Sequence, residues 1–447
     1  MLREQLREAV RSARLAPGTR LPSSRELAAD LRVSRGLVTG AYEQLTAEGY
    51  LSSARGSGTW VSGAARTTGP VSGAGRRAGG EPRADFRPGT PDLTMFPRTA
   101  WAAAHRRALA SLSHDELRYP DPRGLPELRR VLAEMLTRRR GVVARPERVV
   151  VCSGVSQALT LLSGVFQEQG RPVAVESPGP PEHEMLFAAG GVAAVRVPMD
   201  AAGMVPAELA RSGAGAAVLT PSHQFPLGLS YPASRRAELL AWARETDGLL
   251  IEDDYDGEFR YDRAPVGALQ GLDPDRVVYL GSVSKSLAPG LRLGWMVVPE
   301  ALAGELANRK RMMDLGHPVL DQALFADFAG RGDYDRQLRR CQRAYRERRD
   351  VLTAALAEYC SGAEVSGIAA GLHVIVTLPA RFGPEAEFLA RAGALGVAVR
   401  PLSDYGGSAS PDGRVRIVLG YAQLAGARIG PAVRLLAGCD AGASHGA

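Results

Sequence analysis

Residues 249–298 read LLIEDDYDGEFRYDRAPVGALQGLDPDRVVYLGSVSKSLAPGLRLGWMVV, and they hold Lys285, one of two lysines in a chain of 53 arginines. An amine can lose its proton and attack a carbonyl, whereas a guanidinium effectively cannot, so a rare Lys in an arginine-rich chain marks a nucleophile. The buried-strand run Arg276-Val277-Val278-Tyr279-Leu280 leads into Gly281-Ser282-Val283-Ser284-Lys285, and Arg292 follows seven residues on. Hydroxyls and a guanidinium around one amine describe a pocket for a phosphate whose aldehyde that amine can bond. Upstream, the apolar strand Leu249-Leu250-Ile251 ends in Glu252-Asp253-Asp254-Tyr255. A carboxylate at a strand end is where a pyridinium nitrogen finds its counter-ion, and the whole pattern points to pyridoxal phosphate.

The stretches EDDYDGEFRYD and GSVSKSLAPGLRLG resemble the cofactor core of fold-type I aminotransferases, and in particular the MocR branch of the GntR-type regulators. In that branch an aminotransferase-like domain follows a winged helix-turn-helix. The resemblance implies that Lys285 carries the cofactor as a Schiff base and that Asp253 faces the pyridine nitrogen. It places Tyr255 at the ring oxygen and Ser282, Ser284 and Arg292 at the phosphate.

The charge is uneven. Residues 1–80 carry twelve arginines against six acids, while the rest carries 43 cations against 42 anions. A basic head on a neutral body points to a polyanion at the N-terminus only. The four cysteines (Cys152, Cys341, Cys360, Cys439) show neither metal nor redox spacing, so no metal site is expected and a reducing cytoplasm suits the chain. No apolar run reaches membrane-spanning length, and LREQLREAVRSARL at residues 2–15 is amphipathic with acids in it, unlike a signal peptide.

Within residues 1–62, Leu2, Leu6, Val10 and Ala13 fall on one helix face, closed by Pro17-Gly18. Ser23 with Glu26 three positions on is a capping box for a helix through Leu31. Arg32-Val33 makes the turn, and Ser34 caps a second helix that carries Leu37, Val38, Ala41 and Leu45 inward and stops at Gly49. Two helices about a tight turn read as a helix-turn-helix, with Tyr50-Leu51 and Thr59-Val61 pairing as a wing around Arg55–Gly58. This stretch resembles the GntR winged helix, which implies operator contacts from Arg25, Ser34, Arg35 and Thr39, and from Gly58 at the wing. Gly36 stands where relatives often carry Thr, at a cost of roughly 1 kcal/mol for a glycine in the second turn. Residues 63–85, rich in Gly, Ala and Arg, read as a flexible linker before an aminotransferase-like domain over 86–440.

In that domain, alternating strands and helices to about residue 300 describe an α/β, mostly parallel sheet, followed by a smaller α+β domain. The Arg-rich run after 331 reads as a long helix linking the two. Val149-Val150-Val151-Cys152-Ser153-Gly154 is a strand and turn that opens a helix, so Gly154, Val155 and Ser156 offer backbone amides to a phosphate. The resemblance adds Tyr119 as a contact to the cofactor of the other subunit of a homodimer. It offers His223 or Gln224 for the ring oxygen, and Arg416, with Arg414 as runner-up, for a ligand carboxylate. Two departures stand out: Pro180 where relatives have a stacking aromatic, and Leu227 where a small hydroxyl residue is usual. Lost aromatic stacking is worth roughly 0.5–1.5 kcal/mol.

These features describe a cytoplasmic, homodimeric regulator that binds double-stranded operator DNA. Through its pyridoxal phosphate it senses an amine, an amino acid or the cofactor itself. Two other readings stay open at this point: a working aminotransferase with a DNA-binding appendage, and a regulator whose pocket has lost the cofactor.

Overall fold

The computed structural model describes residues 2–54, 58–63, 82–261, 266–407 and 413–440. The chain divides into two compact units, Met1–Gly80 and Glu81–Ala447.

In the first unit, α1 spans Leu2–Arg11, and Ala13 lies beyond it with φ 59°, so the expected apolar face loses its last member. A two-residue strand, β1 (Arg20–Leu21), precedes α2 (Ser24–Leu31). The capping box forms as the spacing requires: Glu26 N–H donates to Ser23 Oγ at 3.2 Å and Ser23 N–H to Glu26 Oε2 at 2.9 Å. Arg32 ends α2 in the left-handed region, and Ser34 caps α3 (Arg35–Ala47). Val38, Ala41, Tyr42 and Leu45 form the buried stripe of α3, whereas Leu37 is 50% exposed, contrary to expectation. A step of one residue turns a helical side chain by roughly 100°, and Tyr42 rather than Leu37 completes the i, i+4, i+7 series from Val38. Gly36 sits in the first turn of α3, not the second, where its amide has no intrahelical partner to lose. The wing strands β2 (Leu51–Ala54) and β3 (Gly58–Val61) pair antiparallel, with Leu51 opposite Val61. β1 joins the other edge of β3. The expected wing tip, Arg55 to Ser57, lies outside the described residues, as do residues 64–81 of the expected linker.

The second unit opens with β4 (Ala84–Asp85), so the end of the Gly/Ala/Arg-rich stretch is strand, with Ala84 buried. Next come α4 (Arg98–Ser111), α5 (Pro126–Arg140), β5 (Val149–Cys152), α6 (Val155–Gln169), β6 (Val173–Ser177) and α7 (Pro181–Ala189). The main sheet continues with β7 (Ala194–Asp200), β8 (Gly203–Met204), β9 (Ala216–Leu219), β10 (Leu249–Asp253), β11 (Val277–Ser282) and β12 (Gly294–Val297). Its order is β5-β12-β11-β10-β9-β6-β7-β8, with β12 and β8 antiparallel to their neighbours. Covered on both faces, the central strands are apolar at nearly every position. Ile251 packs toward the side of Leu159 and Leu306, and its neighbour Leu250 toward Leu239 and Trp242.

Three helices follow, the last of them the Arg-rich Asp333–Tyr359, whose Arg348 reaches Asp92 at 2.5 Å. The small sheet is antiparallel: β13 (Glu364–Ser366), β14 (His373–Thr377), β15 (Val397–Ala398), β16 (Arg400–Pro401) and β17 (Arg416–Gly420) follow in sequence. Four of these make a sheet in the order β13-β14-β17-β16, while β15 pairs with β4. Among the described residues no helix is long and apolar enough to cross a membrane.

Candidate functional site

A cavity of about 320 Å³ opens where the parallel strands of the main sheet end. The carboxyl ends of such strands are where open α/β sheets bind ligands, because the chain diverges there. β11 delivers Ser282, and the turn after it delivers Ser284 and Lys285. Lys285 Nζ donates to Gly89 O at 2.5 Å. Burial pulls the Lys285 amine below its ordinary value, and the carboxylates of Asp256, Asp253 and Glu182 oppose that pull. The free amine, the form that bonds an aldehyde, is thereby brought within reach.

At one end of the cavity, Gly154 caps α6 with φ 90°, a conformation that side chains resist; an added Cβ would also stand 3.2 Å from Arg292 Nη2. Arg292 Nη2 donates to Ser153 O beside that turn. Val155 and Ser156, whose first-turn amides lack intrahelical acceptors, line the cavity with Arg292 and the two serines. Behind the turn, Ser153 N–H donates to Gln157 Oε1 at 2.8 Å, and Gln157 Nε2 donates to Asp314 Oδ2 at 2.7 Å. The second lysine, Lys310, is fully buried there and pairs with the same Asp314 oxygen at 2.7 Å. This end is built for a dianion.

At the other end β10 delivers Asp253. Its Oδ2 lies 3.3 Å from His183 Nε2, and its Oδ1 is buried with no hydrogen-bond partner. A buried carboxylate oxygen without a donor is costly, so Asp253 gains from one more N–H. A pyridinium nitrogen supplies that donor, and the phosphate end, the amine and the orphan oxygen together fit pyridoxal phosphate. Tyr255 lines the wall between them; its hydroxyl lies 3.0 Å from His223 Nδ1, which is also 2.9 Å from Asp256 Oδ2. Burial, then Asp256, pushes the Tyr255 phenol well above its ordinary value, so it stays protonated as a donor.

Of the expected site residues, Val155, Ser156, Asp253, Tyr255, Ser282, Ser284, Lys285 and Arg292 line one cavity, with Gly154 against Arg292. His223 does not reach the wall but stands behind Tyr255, and Gln224 spends its amide on Glu176 Oε2 and Pro178 O. The wall at that turn is Phe225, packed edge-on to Tyr255 and Tyr405. Arg414 pairs with Glu364 at 2.6 Å, and Arg416 opens β17 opposite Thr377, so neither lines the cavity. Tyr119 is 83% exposed. His183, His373, Phe225 and Tyr405 also line the cavity, and no local spacing in the sequence points to them. His223, Asp256 and His373 offer ligand atoms within 4.8 Å of one another, but the first two already bond each other and His373 Nε2 contacts Pro226 O.

In the first unit Arg25, Ser34 and Arg35 are exposed, and Thr39 and Gly58 line a groove with Arg20, Tyr42 and Thr46. Arg20, absent from the expected set, lies against Gly58, where an added Cβ would stand 3.2 Å from its Nε.

Residues 89–425 match the family of aminotransferases of class I and II, and residues 1–61 match the bacterial regulatory proteins of the gntR family. The pyridoxine biosynthesis transcriptional regulator PdxR of Corynebacterium glutamicum is 36% identical over 425 residues, covering 94% of this chain and 91% of that protein. The probable rhizopine catabolism regulatory protein MocR of Rhizobium meliloti is 36% identical, over 79% of this chain and 76% of that one. Among solved structures, the multiple substrate aminotransferase of Thermococcus profundus superposes with a TM-score of 0.71 at 28% identity, covering 80% of this chain and 90% of that one.

Proposed function

The chain belongs to the MocR-type branch of the GntR-family regulators, and from that premise we propose that its cavity is a sensor of small amines rather than a turnover site. It is a DNA-binding transcriptional regulator whose cofactor is pyridoxal phosphate. When bound, that cofactor supplies an aldehyde that bonds amines and a pyridinium ring that withdraws electrons.

The observation that carries the assignment of the site is Asp253, which lines the same cavity as Lys285 and keeps a buried Oδ1 without a hydrogen-bond partner. In this reading Asp253, oriented by His183, holds the ring nitrogen, and Tyr255, oriented by His223, approaches the ring oxygen. Arg292, Ser282, Ser284 and the amides of Gly154 to Ser156 hold the phosphate, and Lys285 bonds the aldehyde. An incoming amine competes with Lys285 for that carbon, and its binding changes the affinity of residues 1–62 for operator DNA. Such coupling requires only that the ligand bind two states of the protein unequally. The protein acts as a cytoplasmic homodimer, with Tyr119 reaching the cofactor of the partner subunit; the stretch from residue 63 to the start of β4 links the DNA-binding part to the ligand-binding part. Arg25, Ser34, Arg35, Thr39 and Gly58 make the operator contacts.

Turnover demands more than binding. The ring must be gripped on its face, and Pro180, which lines the cavity, offers no aromatic surface for that. The test is the visible spectrum of the purified protein. Wild type should show a cofactor band that Lys285→Ala loses, with the cofactor of the variant removable by dialysis. A colourless protein that gains no band on mixing with pyridoxal phosphate would overturn the assignment.

A further inference from the structure

Resting on the amine-sensor reading, we propose that the ligand this cavity selects is an amine whose far end is a second cation, with Glu182 as its counter-ion, and not an amino acid. The charges on the wall lead there. Lys285 and Arg292 are the only lysine and arginine among the described lining residues, and Asp253 and Glu182 the only carboxylates. The cofactor accounts for three of these: its aldehyde for Lys285, its phosphate for Arg292 at the Ser153–Gly154 turn, and its ring nitrogen for Asp253 with His183. Glu182 is left over. It makes no hydrogen bond or ion pair among the described residues, whereas Glu184, two positions on in the same first turn of α7, pairs with Arg196 at 2.7 Å. The helix N-terminus favours acids in this turn; Glu184 is committed to Arg196, while Glu182 is exposed and lines the cavity. Its field reaches both the Lys285 amine and the Tyr405 phenol.

The groups that would hold a carboxylate are elsewhere. Arg414 is paired with Glu364, Arg416 is off the wall, and the small-sheet residue that does reach the cavity is His373. His373 is buried, with its value pushed down to about 3 by that burial, and brings no positive charge. Among the described residues of this chain, a ligand carboxylate on this wall would therefore meet Glu182 with no unassigned cation beside it. The remaining wall is apolar and aromatic, with Phe225 edge-on to Tyr405 at 5.0 Å. Methylene stems pack there, and an ammonium gains from ring faces.

The test compares three four-carbon amines on the full-length protein loaded with pyridoxal phosphate: 1,4-diaminobutane, butylamine and 4-aminobutanoate. Calorimetric titration gives affinity, and the visible band reports cofactor occupancy in parallel. We expect the diamine to bind about tenfold tighter than 4-aminobutanoate, with butylamine between and the gap narrowing as salt is added. Glu182→Gln should remove the advantage of the diamine over butylamine, and Glu182→Arg should invert the order of diamine and aminobutanoate. A full cofactor band with 4-aminobutanoate bound as tightly as the diamine, or a diamine affinity untouched by Glu182→Gln, would overturn the ligand class alone. A missing band, with no amine bound, would overturn the sensor reading beneath it.

Discussion

At the scale of single residues, the site depends on groups left unsatisfied until a ligand arrives. Asp253 has one oxygen on His183 and the other on nothing, a state that a protonated ring nitrogen relieves. Asp253→Asn keeps the shape and removes the charge. Its affinity for pyridoxal phosphate, measured by equilibrium dialysis, should fall about tenfold to a hundredfold, as loss of a charge-assisted hydrogen bond implies. Gly154 is the second such position. With φ 90° and Arg292 Nη2 at 3.2 Å from a would-be Cβ, Gly154→Ala must strain the turn and displace the guanidinium together. Phosphate-bearing cofactor should bind more weakly to this variant, while pyridoxal without its phosphate should be affected far less.

At the scale of elements, helix ends do most of the work. α6 is aimed at the cavity by a chain that runs from Ser153 through Gln157 to Asp314 and the buried Lys310. His317 closes this cluster, its Nδ1 3.4 Å from Ser153 Oγ. Burial, with Lys310 adding and Asp321 and Asp314 opposing, pushes His317 down to about 4 from 6.5. Between those values the unfolded chain takes a proton that the folded chain refuses, so stability falls as pH drops across the window. His317→Gln lacks that dependence. From pH 7 to pH 5 its stability relative to wild type should improve by about 2 kcal/mol, read from thermal unfolding at each pH. In the first unit α3 carries Arg35 exposed at its first position, where side chains of a recognition helix reach base edges. Arg35→Ala should weaken operator binding by more than it weakens binding to random DNA, with affinity falling steeply as salt rises. Equal loss on both would reduce Arg35 to a phosphate contact.

At the scale of the whole molecule, linkage makes the regulator reading quantitative. If a cognate amine changes operator affinity by some factor, operator DNA must change amine affinity by the same factor. Titrating the amine with and without a saturating operator fragment measures that factor, and an amine affinity unchanged by the operator would disprove coupling between the two sites. The same amine should shift the visible spectrum without sustained production of a carbonyl compound. Multiple turnovers at about 1 per second or faster would make the chain an aminotransferase first.

Features set by residue chemistry over a few positions were legible in the sequence alone. A lysine among arginines at Lys285, the Ser23 and Glu26 capping box, Ser34 before α3, and the strand–turn–helix at Gly154 are of this kind. Each works through partners within a turn of helix or a strand end, so spacing suffices to read it. The family resemblance rested on the same local stretches. What tertiary structure decided are pairings between distant segments and the direction of side chains at turns. His183 meets Asp253 from 70 residues away, and Arg414 is taken by Glu364 from 50. Phe225 rather than His223 or Gln224 faces the cavity because Glu176, Pro178 and Asp256 hold the polar neighbours back. Leu37 turned outward for a similar reason: one step along a helix changes the face, and only packing against the rest of the unit says which step is inward. Local spacing names the groups a site can use, and the burial of everything around them decides which ones face the ligand.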